Sequence, residues 1–509
     1  PATASPTAAE HASDALARAQ ALFSEKSPAA ARRQAASRAD ATMVLNQLVR
    51  AMDDLSPADQ KRARSLLARP SDPGGENVIG QIAYSTGEAT PECGATICVH
   101  YANPGDGDAP PDVDTNPDNG IPDEVDRALA TAEHVNATYV DAGYRRPDPD
   151  GSIGGGVDKV DVYLADTGKF VGVYGYCTTD QPGTGAPWNR WAYCVIDDDF
   201  REGQFPSHTP VENQRVTLAH EYFHAVQFAY DFAEDGWIME ATATWAEEQL
   251  YDGINDNRQY IRNSQIRKPW IPLDEFGVSH YGNWVFFQYL TERWRGETGS
   301  MPTLMLDLWK RMDGSAGRPD QYSTQAIQYV LNKRNTSFTS VYGKFADANR
   351  RPQKSYSEGS AGAYRPMRPA KTWTLSASKR SIGPGWVATV NHLTSLPLRF
   401  KPARGLTQRD WKLRLRADLP AASTAPVARV AAYLKSGKVT SSTIRFKRRG
   451  FSSKVVGFSA RNVKYVELVL VNASRRSRCW TDQFSPFACL GTPLDDGRRT
   501  KFGASIFRS

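Results

Sequence analysis

The pattern of apolar and polar positions changes character twice along this 509-residue chain. In the first 70 or so residues, Leu45, Leu48, Val49 and Met52 recur at helical spacing. Ser56-Pro57 opens another helix, with proline in its first turn. The run Pro70-Ser71-Asp72-Pro73-Gly74-Gly75 then breaks the pattern. Strand-like and helical segments follow. Residues 95–101 read as a strand and 124–142 as an amphipathic helix. In 158–166, Val160, Val162 and Leu164 alternate onto one face, which predicts a strand with one buried side. Residues 191–196 form another β-prone run. The period then switches to helix over 211–232, 238–250, 281–295 and 304–312, with two further helices up to about 350.

After a loop rich in Arg, Pro, Gly and Ser at 351–371, the pattern is strand throughout. Residues 411–416 alternate cleanly, and 427–434, 442–446, 455–458 and 465–471 follow with turns between them. Strands before helices predict an α+β domain, and the series of short strands predicts a β-sandwich. Three regions result: a helical N-terminal segment at 1–75, an α+β catalytic domain at 76–370, and an all-β domain at 371–509. The first segment reads as a pro-like piece or a clasp on the next domain.

Composition adds a compartment and a charge asymmetry. Six cysteines fall into three local pairs, Cys93 with Cys98, Cys177 with Cys194, and Cys479 with Cys489. None has metal-site spacing, so disulfides in an oxidising environment are expected. The opening Pro1-Ala2-Thr3-Ala4-Ser5-Pro6-Thr7 reads as the start of a mature secreted chain. The longest apolar cluster, Trp284-Val285-Phe286-Phe287, is too short to span a bilayer. Net charge is +6, yet residues 371–509 carry 27 Lys and Arg against 6 Asp and Glu. That tail suits an anionic cell-wall or extracellular polymer. Trp411, Phe446 and Phe451 stand near basic residues, but no nucleic-acid-binding motif accompanies them, so nucleic acid is not expected.

The chemistry centres on His220-Glu221-Tyr222-Phe223-His224. Positions i and i+4 share one face of a helix, so both imidazoles can reach one zinc ion. Glu221 stands beside them as the general base for a zinc-bound water. Glu240, early on the next helix in an apolar stretch, is the expected third ligand, because an unpaired carboxylate there would be costly. Glu247 reads as a support for the ligands or a solvated side chain, and Glu248 as solvated. His280 and Tyr281 are candidate donors to an oxyanion, with Tyr281 preferred because a phenol donates over a broad pH range.

HExxH followed by a helix-borne Glu resembles the gluzincin zinc peptidases of thermolysin type. Phe228, Ala229 and Tyr230 stand where a metzincin would place a third His. NGIPDEVD at 119–126, DVYLAD at 161–166, HEYFHAVQF at 220–228, WIMEATATWAEE at 237–248 and YGNWVFFQYL at 281–290 also resemble a group of secreted bacterial metalloproteases known mainly from sequence. The resemblance spans about residues 80–370. It implies a zincin-like catalytic domain and a protein or peptide substrate. One departure is Thr244, where thermolysin-like enzymes carry Ser-Asp.

Asp114, Asn116, Asp118 and Asp123 crowd one loop ahead of a helix, an oxygen-rich set that suits Ca2+, although Gly120 breaks the strict calcium-loop register. An acidic helix cap explains the same residues. The glycines at 151–156 read as a flexible loop, and Asn136, Asn335 and Asn472 match the glycosylation pattern. The expectation from sequence is a secreted zinc metalloendopeptidase, with Zn2+ at His220, His224 and Glu240. Two alternatives stand beside it: a surface-binding protein that works through its basic sandwich, and a zinc hydrolase of non-peptide amides.

Overall fold

The computed structural model describes residues 7–24, 40–72, 82–154, 158–170, 172–277, 279–444, 452–481 and 485–509. The glycines at 74, 75, 155 and 156, together with Phe446 and Phe451, lie outside the described residues. The protein is mixed α and β, with a β-rich C-terminal region. It divides into two compact units, residues 1–257 with 294–326, and residues 258–293 with 327–509. The N-terminal helices therefore belong with the HExxH segment, and the helical stretches at 258–293 and 327–370 belong with the β-rich tail.

In the first unit, helix α1 (Ala8–Leu22), α2 (Ala41–Arg50) and α3 (Pro57–Leu66) form the N-terminal region. Each begins where a capping side chain takes an orphan N–H: Thr7 for Glu10, Asp40 for Met43 and Ser56 for Asp59. A five-stranded sheet follows, built from β1 (Glu92–Cys93), β2 (Ile97–His100), β3 (Val160–Leu164), β4 (Gly175–Thr178) and β5 (Tyr193–Ile196). Its order is β1-β2-β3-β5-β4. The inner strands β2, β3 and β5 run parallel, and β1 and β4 are antiparallel edges. The alternation expected over 158–166 places only one face of β3 inside, yet all five of its residues are buried. A central parallel strand is covered on both faces, and here the covered residues include polar Asp161. Cys177 and Cys194 face each other across β4 and β5 and are disulfide-bonded, as are Cys93 with Cys98.

Arg69, just beyond α3, locks this N-terminal region to the sheet. Its buried guanidinium donates Nη1 to Asp161 at 2.5 Å and Nε to Asp180 at 2.7 Å, and Nη2 to Asp150. Burial pushes Asp150 up to about 6 even with that partner beside it. Gly154 lies directly over the cluster with φ +68°, and a Cβ there would overlap Arg69 Nη1 and Asp161 Oδ2. The glycine-rich loop expected to be merely flexible thus includes a position that must lack a side chain.

The second unit contains two sheets, of five and four strands, that enclose a common core including Trp373, Phe400, Leu413, Leu415, Val466 and Ile506. The strand Trp411–Asp418 keeps its predicted alternation, with Leu413 and Leu415 inward and Lys412, Arg414 and Arg416 turned out. Strand Val439–Thr443 ends before the predicted 446, and strands Thr394–Pro402 and Arg498–Arg508 complete the sheets. Part of the basic excess is neutralised inside the unit. Glu467, fully buried, pairs with Arg350 and Arg399. The Cys479–Cys489 disulfide is formed. Among the described residues no helix is long and apolar enough to cross a membrane.

His392 supplies a pH-dependent contact in this unit. It is buried between Asp274, 2.9 Å from Nε2, and Asp496, 2.6 Å from Nδ1. Burial opposes its charge, but the two carboxylates outweigh that and raise it to about 10. The folded value exceeds the unfolded value near 6.5, so the stabilisation is complete below about pH 6.5 and is lost as pH climbs through about 10. The expected result is that His392→Asn costs on the order of 3 kcal/mol at pH 6, and that its gap to wild type narrows by pH 10. Urea unfolding at both pH values checks this; a pH-independent gap would refute the charged pair.

Candidate metal centre

The HExxH segment lies on α5 (Pro210–Asp231). Thr209 opens that helix with a capping box: its hydroxyl accepts the Glu212 N–H, and Glu212 accepts the Thr209 N–H at 3.0 Å. Proline at the first helical position costs no hydrogen bond. From Val216 to Asp231 every residue is buried, and the helix packs on β4, β5 and α4 (Asp123–Asp141). A helix enclosed on all sides loses the polar face of a surface helix. The next helix, α6 (Gly236–Leu250), lies against α5 and carries Glu240 and Glu247 inside. Glu248, expected in solvent, is buried too, because α6 is covered on more than one side.

Each imidazole is oriented from behind. Gln227 donates its amide Nε2 to the Met239 carbonyl at 2.9 Å and to Thr242 Oγ1 at 3.1 Å. That fixes its Oε1 toward His224 Nδ1, 2.7 Å away, so Nδ1 is the donor. Glu247 Oε1 accepts from His220 Nδ1 at 2.5 Å. With both Nδ1 atoms donating, both Nε2 lone pairs face the same point.

The Nε2 atoms are 3.1 Å apart. Glu240 Oε1 is 3.2 Å from His224 Nε2, and its Oε2 is 3.3 Å from His220 Nε2. Neither Glu240 oxygen is in a hydrogen bond of normal geometry, although the side chain is fully buried. A tetrahedral ion with bonds of about 2.0–2.1 Å holds its ligands about 3.3–3.4 Å apart. The three edges, 3.1–3.3 Å, lie at or slightly below that figure, so these residues fit a small divalent metal ion. The electrostatics agree. Burial opposes charge on His220, yet the carboxylates of Glu240 and Glu247 beside it raise it well above its usual range. Glu240 is held well below the carboxylate range despite its burial, first by His224. This pocket draws positive charge.

Glu221 is buried beside the pair, with Oε2 accepting the Thr42 hydroxyl at 2.9 Å. Thr42 itself accepts the Cys177 N–H at 3.0 Å. A fourth acidic residue completes the centre: the ligand atoms of Asp40, His220, His224 and Glu240 all lie within 4.8 Å of one another. Nothing local in the sequence marks Asp40 as a ligand, since an Asp before an apolar run signals a helix cap. Gln227 was detectable in principle, because it stands at i+3 from His224 on the motif helix.

The other candidates have different surroundings. Asp114 accepts N–H groups from Asn119 and Gly120, and Asp123 accepts those of Thr115 and Asn116, so these carboxylates order their own loop. Among the described residues, no metal-spaced group of three or more His, Cys, Asp or Glu side chains includes Asp114, Asp118 or Asp123. A metal-spaced acidic group not foreseen from sequence joins Asp166, Asp197 and Asp198. Burial pushes Asp198 up to about 8, while Asp197 takes N–H groups from Gly168 and Phe200. His280 and Tyr281 belong to the second unit, where His280 stacks on Phe276 and Tyr281 on Tyr260. Thr244 is buried on α6. Asn136 and Asn472 are buried and hydrogen-bonded, which removes them as glycosylation sites.

No protein-family model matches the chain, and no curated protein matches it. Among solved structures it is similar to a family GH115 4-O-methyl-α-glucuronidase with specificity for decorated arabinogalactans, at 10% identity and a TM-score of 0.15. The match covers 72% of this chain, which spans about half (54%) of that one. The expectation of a zinc metallopeptidase is not upheld by these comparisons: the similar structure is named as a glucuronidase, and at this TM-score the likeness says nothing of the bond this chain would cleave. The chemistry of the site leaves that bond open. Two imidazoles and a carboxylate specify how water is activated, whereas the substrate cleft decides which bond it attacks.

Proposed function

We propose that the first unit is a metal-dependent hydrolase with a gluzincin-type ligand set, His220, His224 and Glu240, on a zincin-like layer of sheet and helices. The observation that carries this reading is the 3.1–3.3 Å convergence of the two Nε2 atoms and the Glu240 carboxylate, with both Nδ1 atoms tied back to Glu247 and Gln227. A bound zinc-type ion would supply Lewis acidity and lower the pKa of a coordinated water.

The chain's own residues do the rest. Glu221 takes the proton from the attacking water and returns it to the leaving group, as a buried carboxylate one residue from a ligand can. Glu247 and Gln227 hold the imidazole tautomers that leave Nε2 as the ligating atom. The enclosing helices exclude bulk water and strengthen the electrostatic interactions within. Three disulfides support this reading of a secreted protein, being compatible with an oxidising, extracellular setting.

The test is metal analysis of the full chain after dialysis against Zn2+. Wild type is expected to keep one ion per chain, and Glu240→Ala to weaken retention by about tenfold or more. Wild type without bound metal, or Glu240→Ala with undiminished affinity, would remove the metal site.

A further inference from the structure

We propose that Asp40 is a fourth metal ligand, delivered by the N-terminal region, and that residues 40–42 hold the centre in a closed, water-excluding state. The inference rests on the metal site described above. A catalytic zinc site keeps one position for water, whereas a closed four-ligand set is structural. Here the Asp40 carboxylate joins the three ligands of α5 and α6, with all four ligand atoms inside a 4.8 Å cluster. Two residues on, the Thr42 hydroxyl donates to one of the two oxygens of Glu221, Oε2, at 2.9 Å. One turn of chain thus reaches both the ligand cluster and the base.

The turn is firmly seated. Asp40 Oδ1 caps α2 by accepting the Met43 N–H at 3.2 Å. Asn46 donates to the Phe232 carbonyl at 2.6 Å, and Arg50 to that of Ala233 at 3.3 Å. These anchors lie in the short connection between the two ligand-bearing helices. Asp40, Glu221 and all three proposed ligands are buried, His224 and Glu240 completely. Turnover then requires an exchange in which the Asp40 carboxylate leaves the ion and a water molecule takes its place, with no change of oxidation state. Whatever displaces or cleaves away the N-terminal region would open the site.

The experiment uses the full chain loaded with Co2+, whose visible spectrum reports ligand number and type, and acetohydroxamate as a small bidentate probe. Wild type is expected to keep its spectrum when acetohydroxamate is added and to lose metal slowly to dipicolinate. Asp40→Asn keeps the helix-capping oxygen but removes the anionic ligand. It should shift the spectrum, respond to acetohydroxamate, and lose metal at least tenfold faster. Asp40→Ala should do the same, with circular dichroism reporting whether its fold survives. If wild type itself binds acetohydroxamate readily, or if metal-loaded Asp40→Asn matches wild type in spectrum and release rate, Asp40 is not a ligand. Failure of wild type to take up Co2+ overturns the metal site as well, so the two readings fail distinguishably.

Discussion

Glu221→Gln is expected to retain one metal ion per chain while turnover falls by about 10^2- to 10^4-fold, the usual contribution of a positioned general base. The amide preserves the shape of the side chain and its contact with the Thr42 hydroxyl, because its carbonyl oxygen can still accept that bond. It removes the one thing the mechanism needs there, a basic oxygen. His224→Ala should behave differently and lose the metal, since it deletes a ligand that no neighbour replaces. Glu247→Gln is an intermediate case. The His220 Nδ1 contact at 2.5 Å would lose its charge, and metal affinity should drop by roughly 10- to 100-fold. Metal content by mass spectrometry, paired with a panel of labelled amide, ester and glycoside substrates, separates the three variants. A Glu221→Gln protein as active as wild type would exclude this base and the hydrolytic mechanism with it.

Arg69→Met is expected to cost about 3–5 kcal/mol, the penalty for breaking a buried ion pair by removing one partner. The guanidinium is fully buried, and so are Asp150 and Asp161; Asp180 is only partly covered. Deleting the cation leaves three carboxylates around an apolar side chain. Asp161 would retain a contact to His100 Nε2 at 3.1 Å, which is too little to replace it. Arg69→Lys should fail to restore stability, because an ammonium cannot present a planar fork to three acids at once. A second change, Asp161→Asn, should recover part of the loss, and the double-mutant cycle measures how much. Urea denaturation followed by tryptophan fluorescence is the assay. Cost below about 1 kcal/mol would mean that water reaches the cluster and that the clasp contributes little.

The local features of this chain were legible in its sequence. The helices over 211–232 and 238–250 and the strands over 411–416 and 465–471 appear within a few residues of their predicted ends, because apolar period and capping residues act over one or two turns. The alternation over 158–166 misread β3, since period alone cannot tell a half-buried strand from one covered on both faces. His220, Glu221 and His224 were visible because a helix makes i and i+4 neighbours without help from the rest of the fold. Glu240 was visible as an acid in an apolar run, and the structure brings its carboxylate to the two imidazoles.

What the sequence determined by itself was therefore a motif helix with two convergent imidazoles, a following helix with a buried acid, a β-rich tail and three local disulfides. Tertiary structure alone decided that the N-terminal region joins the same unit, that Arg69 binds three acids separated from it by 81 to 111 positions, and that Thr42 meets Glu221 across 179. Asp40 reads in sequence as a helix cap, and only the docking of α2 against the sheet brings the same carboxylate to His220, His224 and Glu240. Such contacts depend on packing between segments far apart in the chain, and no periodicity along the sequence encodes where two such surfaces will meet.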